Sequence, residues 1–208
     1  MNTVVTQNYQ TSFGMKQNLK KYAIIQQKAK NTYQHISPFI FQSKEGAKDI
    51  PKIKILAKEL SEFRVKLSTS DNPLKVLIEY LKNGNKLANG GEEATIATTI
   101  GRMNGQKNIY TGQIKGLDHA VSFVTDKVVR DGNELLLKGK KAIIIDPQLG
   151  ITDYVGNYFL KLQERMNNSI KQSEMSIIPM GNKRINAAQM ADLRASYPEL
   201  LIENYKNV

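Results

Sequence analysis

Asp118-His119-Ala120-Val121-Ser122-Phe123-Val124-Thr125 marks the point at which this chain changes texture. From Ala120 to Thr125, β-branched and aromatic residues dominate, which is the signature of a strand. Working outward, Asn108 to Ile114, Glu134 to Leu137 and Ala142 to Ile145 read the same way, and Met175 to Ile178 is a last strand. Asp131-Gly132-Asn133 is a turn, and Gly139 breaks the chain again. Before Asn108 the pattern is helical. Met15 to Tyr33 brings Met15, Leu19, Tyr22, Ala23 and Ile25 near one face, with its lysines largely outside that stripe. Ile36 to Glu45 reads as a loop marked by Ser37-Pro38. Ile50 to Leu67, with Pro51 near its start, carries Ile53, Leu56, Leu60 and Phe63 at helical spacing. Asp71-Asn72-Pro73 opens a third helix with Leu74, Leu77, Ile78 and Leu81, fraying at Asn83-Gly84, and a fourth runs from about Gly91 to Arg102. Tyr154 to Asn168 returns to helix, and Asn186 can cap a final helix that ends before Tyr197-Pro198. Helices first and an antiparallel sheet after them make an α+β pattern.

Composition narrows the function classes. The 208 residues suffice for one sizeable core, or one core with a small appendage. There is no cysteine, which excludes a disulfide framework and any thiolate-ligated metal. His35 and His119 are too few for a histidine-rich zinc site, so no metal and no cofactor is expected. No run approaches the ~18 apolar residues of a membrane span. The formal net charge is +11, and it is uneven: residues 1–80 hold thirteen Lys and Arg against six acids. This balance favours anionic partners. The lysines are dispersed rather than interleaved with aromatics, so a solvated basic surface is expected and stable nucleic-acid binding is not.

Three short stretches carry chemistry. Leu87-Ala88-Asn89-Gly90-Gly91-Glu92-Glu93-Ala94 joins a Gly-rich turn to a helix start, a setting in which the helix dipole favours an anion. By itself it is an ordinary loop-to-helix joint with acids in the first turn. His119 precedes a strand, 29 positions after Gly90, and suits a general base. Asp146 ends the apolar strand Ala142-Ile143-Ile144-Ile145, 27 residues after His119 and just before Pro147. A carboxylate there can orient an imidazole and stabilise its cationic form. There is no Walker loop and no HExxH helix. Tyr80, Tyr110, Tyr154 and Tyr158 read as core or groove residues, and the apolar residues of Met175 to Met180 as packing.

Taken in order, Asn89-Gly90-Gly91-Glu92, Asp118-His119-Ala120 and Asp146-Pro147 resemble the Asn-Cys-Gly-Glu, Asp-His-Ala and Asp-Pro motifs of papain-like cysteine hydrolases, especially compact bacterial effectors. The resemblance covers roughly Gly84 to Leu149. It implies a papain-like fold with a helical N-terminal part, its nucleophile helix packed on the sheet. It implies His119 as base, Asp146 as orienter, and attack of a cysteine thiolate on an amide carbonyl, ending in peptide cleavage, glutamine deamidation or acyl transfer to an amine. Gly90 stands at the cysteine position, so the chain is expected to be inactive, as an altered enzyme or a natural pseudoenzyme. Asn85 and Asn89 are the candidate oxyanion donors, with the backbone N–H of Gly90 as a second. Gln148 departs from the aromatic residue that often follows Asp-Pro in the family.

The same resemblance implies a host protein as substrate or binding partner, to which the basic balance adds an acidic face, and secretion into the host cytosol by a specialised bacterial system; otherwise the chain is expected to be cytoplasmic. Residues 1–14, uncharged and rich in Thr, Gln, Asn and Ser, read as a flexible segment, either a plain tail or an export signal, and 15–208 as a single papain-like domain with a helical N-terminal part. The competing reading is a basic interaction module for an acidic protein, membrane headgroups or nucleic acid. In it Lys16, Lys20, Lys21, Lys28 and Lys30 would form a patch.

Overall fold

The structure, a computed structural model, describes residues 13–36, 62–63, 65–66, 69–70, 72–82, 90–117, 119–126, 135–136, 142–165, 176–180 and 185–208. Its helices are α1 (Phe13–Ile36), α2 (Pro73–Lys82), α3 (Gly90–Met103), α4 (Val155–Arg165) and α5 (Ala187–Ser196). Its strands are β1 (Ile109–Ile114), β2 (Ala120–Thr125), β3 (Leu135–Leu136), β4 (Ala142–Asp146), β5 (Ile151–Tyr154) and β6 (Ser176–Pro179). They form one sheet in the order β3-β6-β1-β2-β4-β5, antiparallel at every pairing. Helices preceding an antiparallel sheet confirm the α+β class. Among the described residues, no helix is long and apolar enough to cross a membrane.

The sheet is covered on both faces, and strand alternation divides its side chains between two cores. In β4, Ile143 and Ile145 join Tyr22, Ile25, Ala29, Leu74, Leu77, Ile96 and Ile100 of the N-terminal helices. Ala142 and Ile144 of the same strand join Val121, Phe123, Tyr158, Phe159 and Leu162 on the α4 side. α3 is seated on the first face by a buried hydroxyl chain. Thr98 Oγ1 lies 2.8 Å from both Thr111 and Ser122, and Ser122 Oγ donates to the Ala94 carbonyl at 2.6 Å. Each hydroxyl buried in the interface therefore has a partner, which burial of polar groups requires.

Local chemistry accounts for most boundaries. Pro73 begins α2, where its missing N–H costs nothing. Asn186 and Gln189 form a reciprocal capping box at α5. Three readings differ from the sequence expectation. Tyr154 ends strand β5 instead of opening a helix, because Ile151 and Asp153 turn inward while Thr152 and Tyr154 are half-buried. Ala23 is exposed, the buried stripe of α1 running through Tyr22, Ile25, Gln26, Ala29 and Tyr33. Met180 is also exposed rather than packed. Helix α1 begins at Phe13, while the rest of the 1–14 segment lies outside the described residues, as do the 37–45 loop, most of the 50–67 helix and the turns at 83–84, 131–133 and 139. The described part of that second helix includes Phe63, which is buried and stacks on Tyr80 with ring centroids 3.8 Å apart.

Candidate functional site

The β2–β4 ladder brings the two chemical residues together. Ser122 lies opposite Ile145, so the start of β2 and the end of β4 stand at the same end of the sheet. His119 immediately precedes β2 and Asp146 is the last residue of β4, which brings the two side chains within reach of each other. His119 Nε2 lies 2.7 Å from Asp146 Oδ2. The main chain of His119 is fixed as well, its carbonyl accepting from Ile114 N–H at 2.9 Å.

Asp146 is fully buried, whereas the His119 side chain retains 13% exposure. Two further donors converge on the carboxylate. The Leu149 N–H donates to Oδ1 at 2.9 Å, and the Tyr158 hydroxyl donates to Oδ2 at 2.8 Å. Both carboxylate oxygens are thereby engaged, as an acceptor-only group in a dry setting requires. Burial, and then Asp146 itself, push the Tyr158 phenol far above its ordinary range, so it remains a donor at any working pH. Nε2 is the ring nitrogen committed to Asp146, and the Gln148 side chain also hydrogen-bonds the ring. Burial opposes protonation of His119, but the hydrogen bond and charge of Asp146, the Gln148 side chain and Glu93 together raise its pKa above the usual imidazole value.

Gly90 is the first residue of α3, so the position stands at a helix N-terminus. One turn further along, the buried Glu93 carboxyl lies within the electrostatic reach of His119, Asp146 and Lys30. Burial first, then Asp146, push it up to about 7. Sequence reasoning passed over Glu93 because Glu92-Glu93 looks like capping chemistry, and over Tyr158 because nothing local separates it from a core tyrosine. Asn85 and Asn89 lie outside the described residues. No group of three or more His, Asp or Glu among the described residues has the arrangement of a metal site.

Two lysines of α1 have partners of their own. Lys21 sits 3.6 Å over the Tyr205 ring, and Lys28 donates to the Glu199 carbonyl at 2.7 Å. Lys30 comes close to Gly150 in the β4–β5 turn, and Lys20 faces outward. No protein-family model, no curated protein and no solved structure matches the chain.

Proposed function

We propose that this chain has the papain-like arrangement of a cysteine hydrolase of the bacterial effector type, with Gly90 at the position of the nucleophile. The observation that carries the reading is the 2.7 Å contact between His119 and a fully buried Asp146, in an α+β chain in which another helix begins at Gly90. The parent chemistry follows from those positions. A cysteine at 90 would lose its proton to the His119 imidazole, and the thiolate would attack an amide carbonyl to give a tetrahedral oxyanion. N–H groups at the start of α3 would face that charge. Collapse would expel the amine, which takes the proton from the imidazolium, and leave a thioester for water or a second amine. Asp146 would hold the ring and stabilise its cation throughout. Gly90 has no side chain, so this chain does not perform the attack.

The surplus of basic groups supports a protein target with an acidic face, and by the same reading the chain is a secreted effector acting on a host protein. The test is Gly90→Cys. Its thiol should alkylate with iodoacetamide at a pKa well below the ~8.5 of free cysteine. His119→Ala in that background should remove the enhancement, and Asp146→Asn should reduce it less. An ordinary thiol that ignores His119→Ala would end the hydrolase reading and leave a natural pseudoenzyme or a basic interaction module in its place.

A further inference from the structure

A carboxylate that orients an imidazole has to be held in orientation itself. The plane of an Asp carboxylate is only weakly set by its own terminal torsion, which is broad. Two groups other than His119 fix it here. The Leu149 N–H donates to Oδ1 at 2.9 Å, and the Tyr158 hydroxyl donates to Oδ2 at 2.8 Å. Oδ2 is also the oxygen that meets His119 Nε2, at 2.7 Å. Asp146 and Tyr158 are both 0% exposed, so solvent offers no substitute donor. The phenol is held in turn. Its ring meets Phe159 edge-on, with centroids 5.3 Å apart, in a core shared with Phe123 and Ile144. From the last residue of α4, Arg165 donates to the Leu149 carbonyl at 3.1 Å. One helix thus steadies the donors to both oxygens. Packing alone does not account for the Tyr158 hydroxyl. Phenylalanine would fill the same apolar space without the cost of burying a polar group.

We propose that Tyr158 is a positioning residue of this site, its hydroxyl fixing the Asp146 carboxylate so that Oδ2 faces the His119 ring. It acts through Asp146 alone. With one oxygen held by Leu149 and the other by Tyr158, the carboxylate keeps its place while the ring gains and loses a proton, and the ring keeps one tautomer. The proposal rests on the reading of His119 as base and Asp146 as its orienter, but it is measured on the ring itself and needs no thiol.

The chain holds only two histidines, so the His119 ring signals are assigned in proton and nitrogen-15 NMR by their loss in His119→Ala. In the unaltered chain the Nε2–H proton should be resolved, sheltered by Asp146. It should show a cross-relaxation peak to the Tyr158 hydroxyl proton, since both groups bond the same oxygen. Absence of that peak would overturn the proposal, whatever the variants do. In Tyr158→Phe the Nε2–H signal should be lost to exchange, and the ring nitrogens should average between tautomers. Leu162→Ala, one turn along α4 in the same core, removes packing but no donor, and should keep the parent ring signals. Unchanged ring signals in Tyr158→Phe, or an equal loss in Leu162→Ala, would overturn the positioning role. With Gly90→Cys as parent, Tyr158→Phe should slow iodoacetamide alkylation severalfold. Ordinary alkylation of Gly90→Cys, with the ring signals lost in Tyr158→Phe, would sink the hydrolase reading alone. Enhanced alkylation of Gly90→Cys, with those signals intact in Tyr158→Phe, would sink the Tyr158 proposal alone.

Discussion

At the scale of single residues, the site is an unequal set of groups under one electrostatic constraint. Asp146 gathers His119, Tyr158 and the Leu149 N–H, whereas Glu93 has a buried oxygen with none. The difference sets the pH response. A carboxyl raised from 4.5 to about 7 binds its proton more tightly in the folded state, so its share of stability falls as pH rises between those values. His119, also raised, contributes stability that is complete below 6.5 and lost as pH climbs through its folded pKa. Both act in the same direction. Glu93→Gln should therefore melt higher than the parent at pH 8, by roughly 2–4 °C for about 1 kcal/mol in a chain of this size. The gap should close towards pH 5; a gap independent of pH would contradict the assignment. Tyr158→Phe should cost about 1.5–3 kcal/mol, the range for hydrogen bonds to charged groups, as read by urea unfolding. The pairing of His119 with Asp146 was legible because an imidazole just before one strand and a carboxylate ending another suit each other. Glu93 and Tyr158 were not, because their roles arise only when α3 and α4 meet the end of the sheet.

At the scale of elements, sequence reading succeeded where one periodicity ran long enough to dominate. β2 matches its expected bounds, and α3 extends one residue beyond them at each end. It failed at β5, where four alternating residues run without a break into the amphipathic helix α4. The inward side of α1 was also only partly legible, since Gln26 is buried while Ala23 is not. Glycines show how tightly these elements are fitted. A Cβ at Gly112 in β1 would come within 2.5 Å of Ile177 Cγ2 and 2.9 Å of Phe123 Cε1, both on buried side chains. Gly112→Ala should therefore destabilise by about 1–3 kcal/mol through overpacking. Gly156 in α4 has nothing within 4 Å of its Cβ position. Gly156→Ala should be neutral or stabilise by up to ~1 kcal/mol through helix propensity. Denaturant midpoints of the two variants test the contrast, and equal effects would show that the β1–β6 and β1–β2 contacts are looser than described.

At the scale of the whole molecule, the C-terminal segment ties the helical layer together. Leu200 and Tyr205 enter the same core as α1, α2 and α3. Around them, Lys28 donates to the Glu199 carbonyl, Asn104 bonds both the Leu200 carbonyl and the Ile202 N–H, and Arg194 caps the Met103 carbonyl. The last two attach to the C-terminal end of α3, whose other end carries Gly90. At 1.5 Å per residue α3 spans roughly 21 Å, so the site and the C-terminal clasp occupy opposite ends of one rigid rod. This separation makes the contributions separable. Leu200→Ala should cost about 2–5 kcal/mol, as large-to-small changes in a closed core do. Removing residues 197–208 should cost more, because it also removes the Tyr205 contact with Lys21 and the two partners of Asn104. The His119 titration midpoint should not move in folded Leu200→Ala, since none of the groups acting on the ring belongs to the clasp. Urea unfolding gives the first quantity and a proton NMR titration of the His119 ring the second. A loss under ~0.5 kcal/mol on Leu200→Ala would show that the segment is not part of the core. A shifted His119 midpoint in that variant would show that α3 transmits displacement from the clasp to the site.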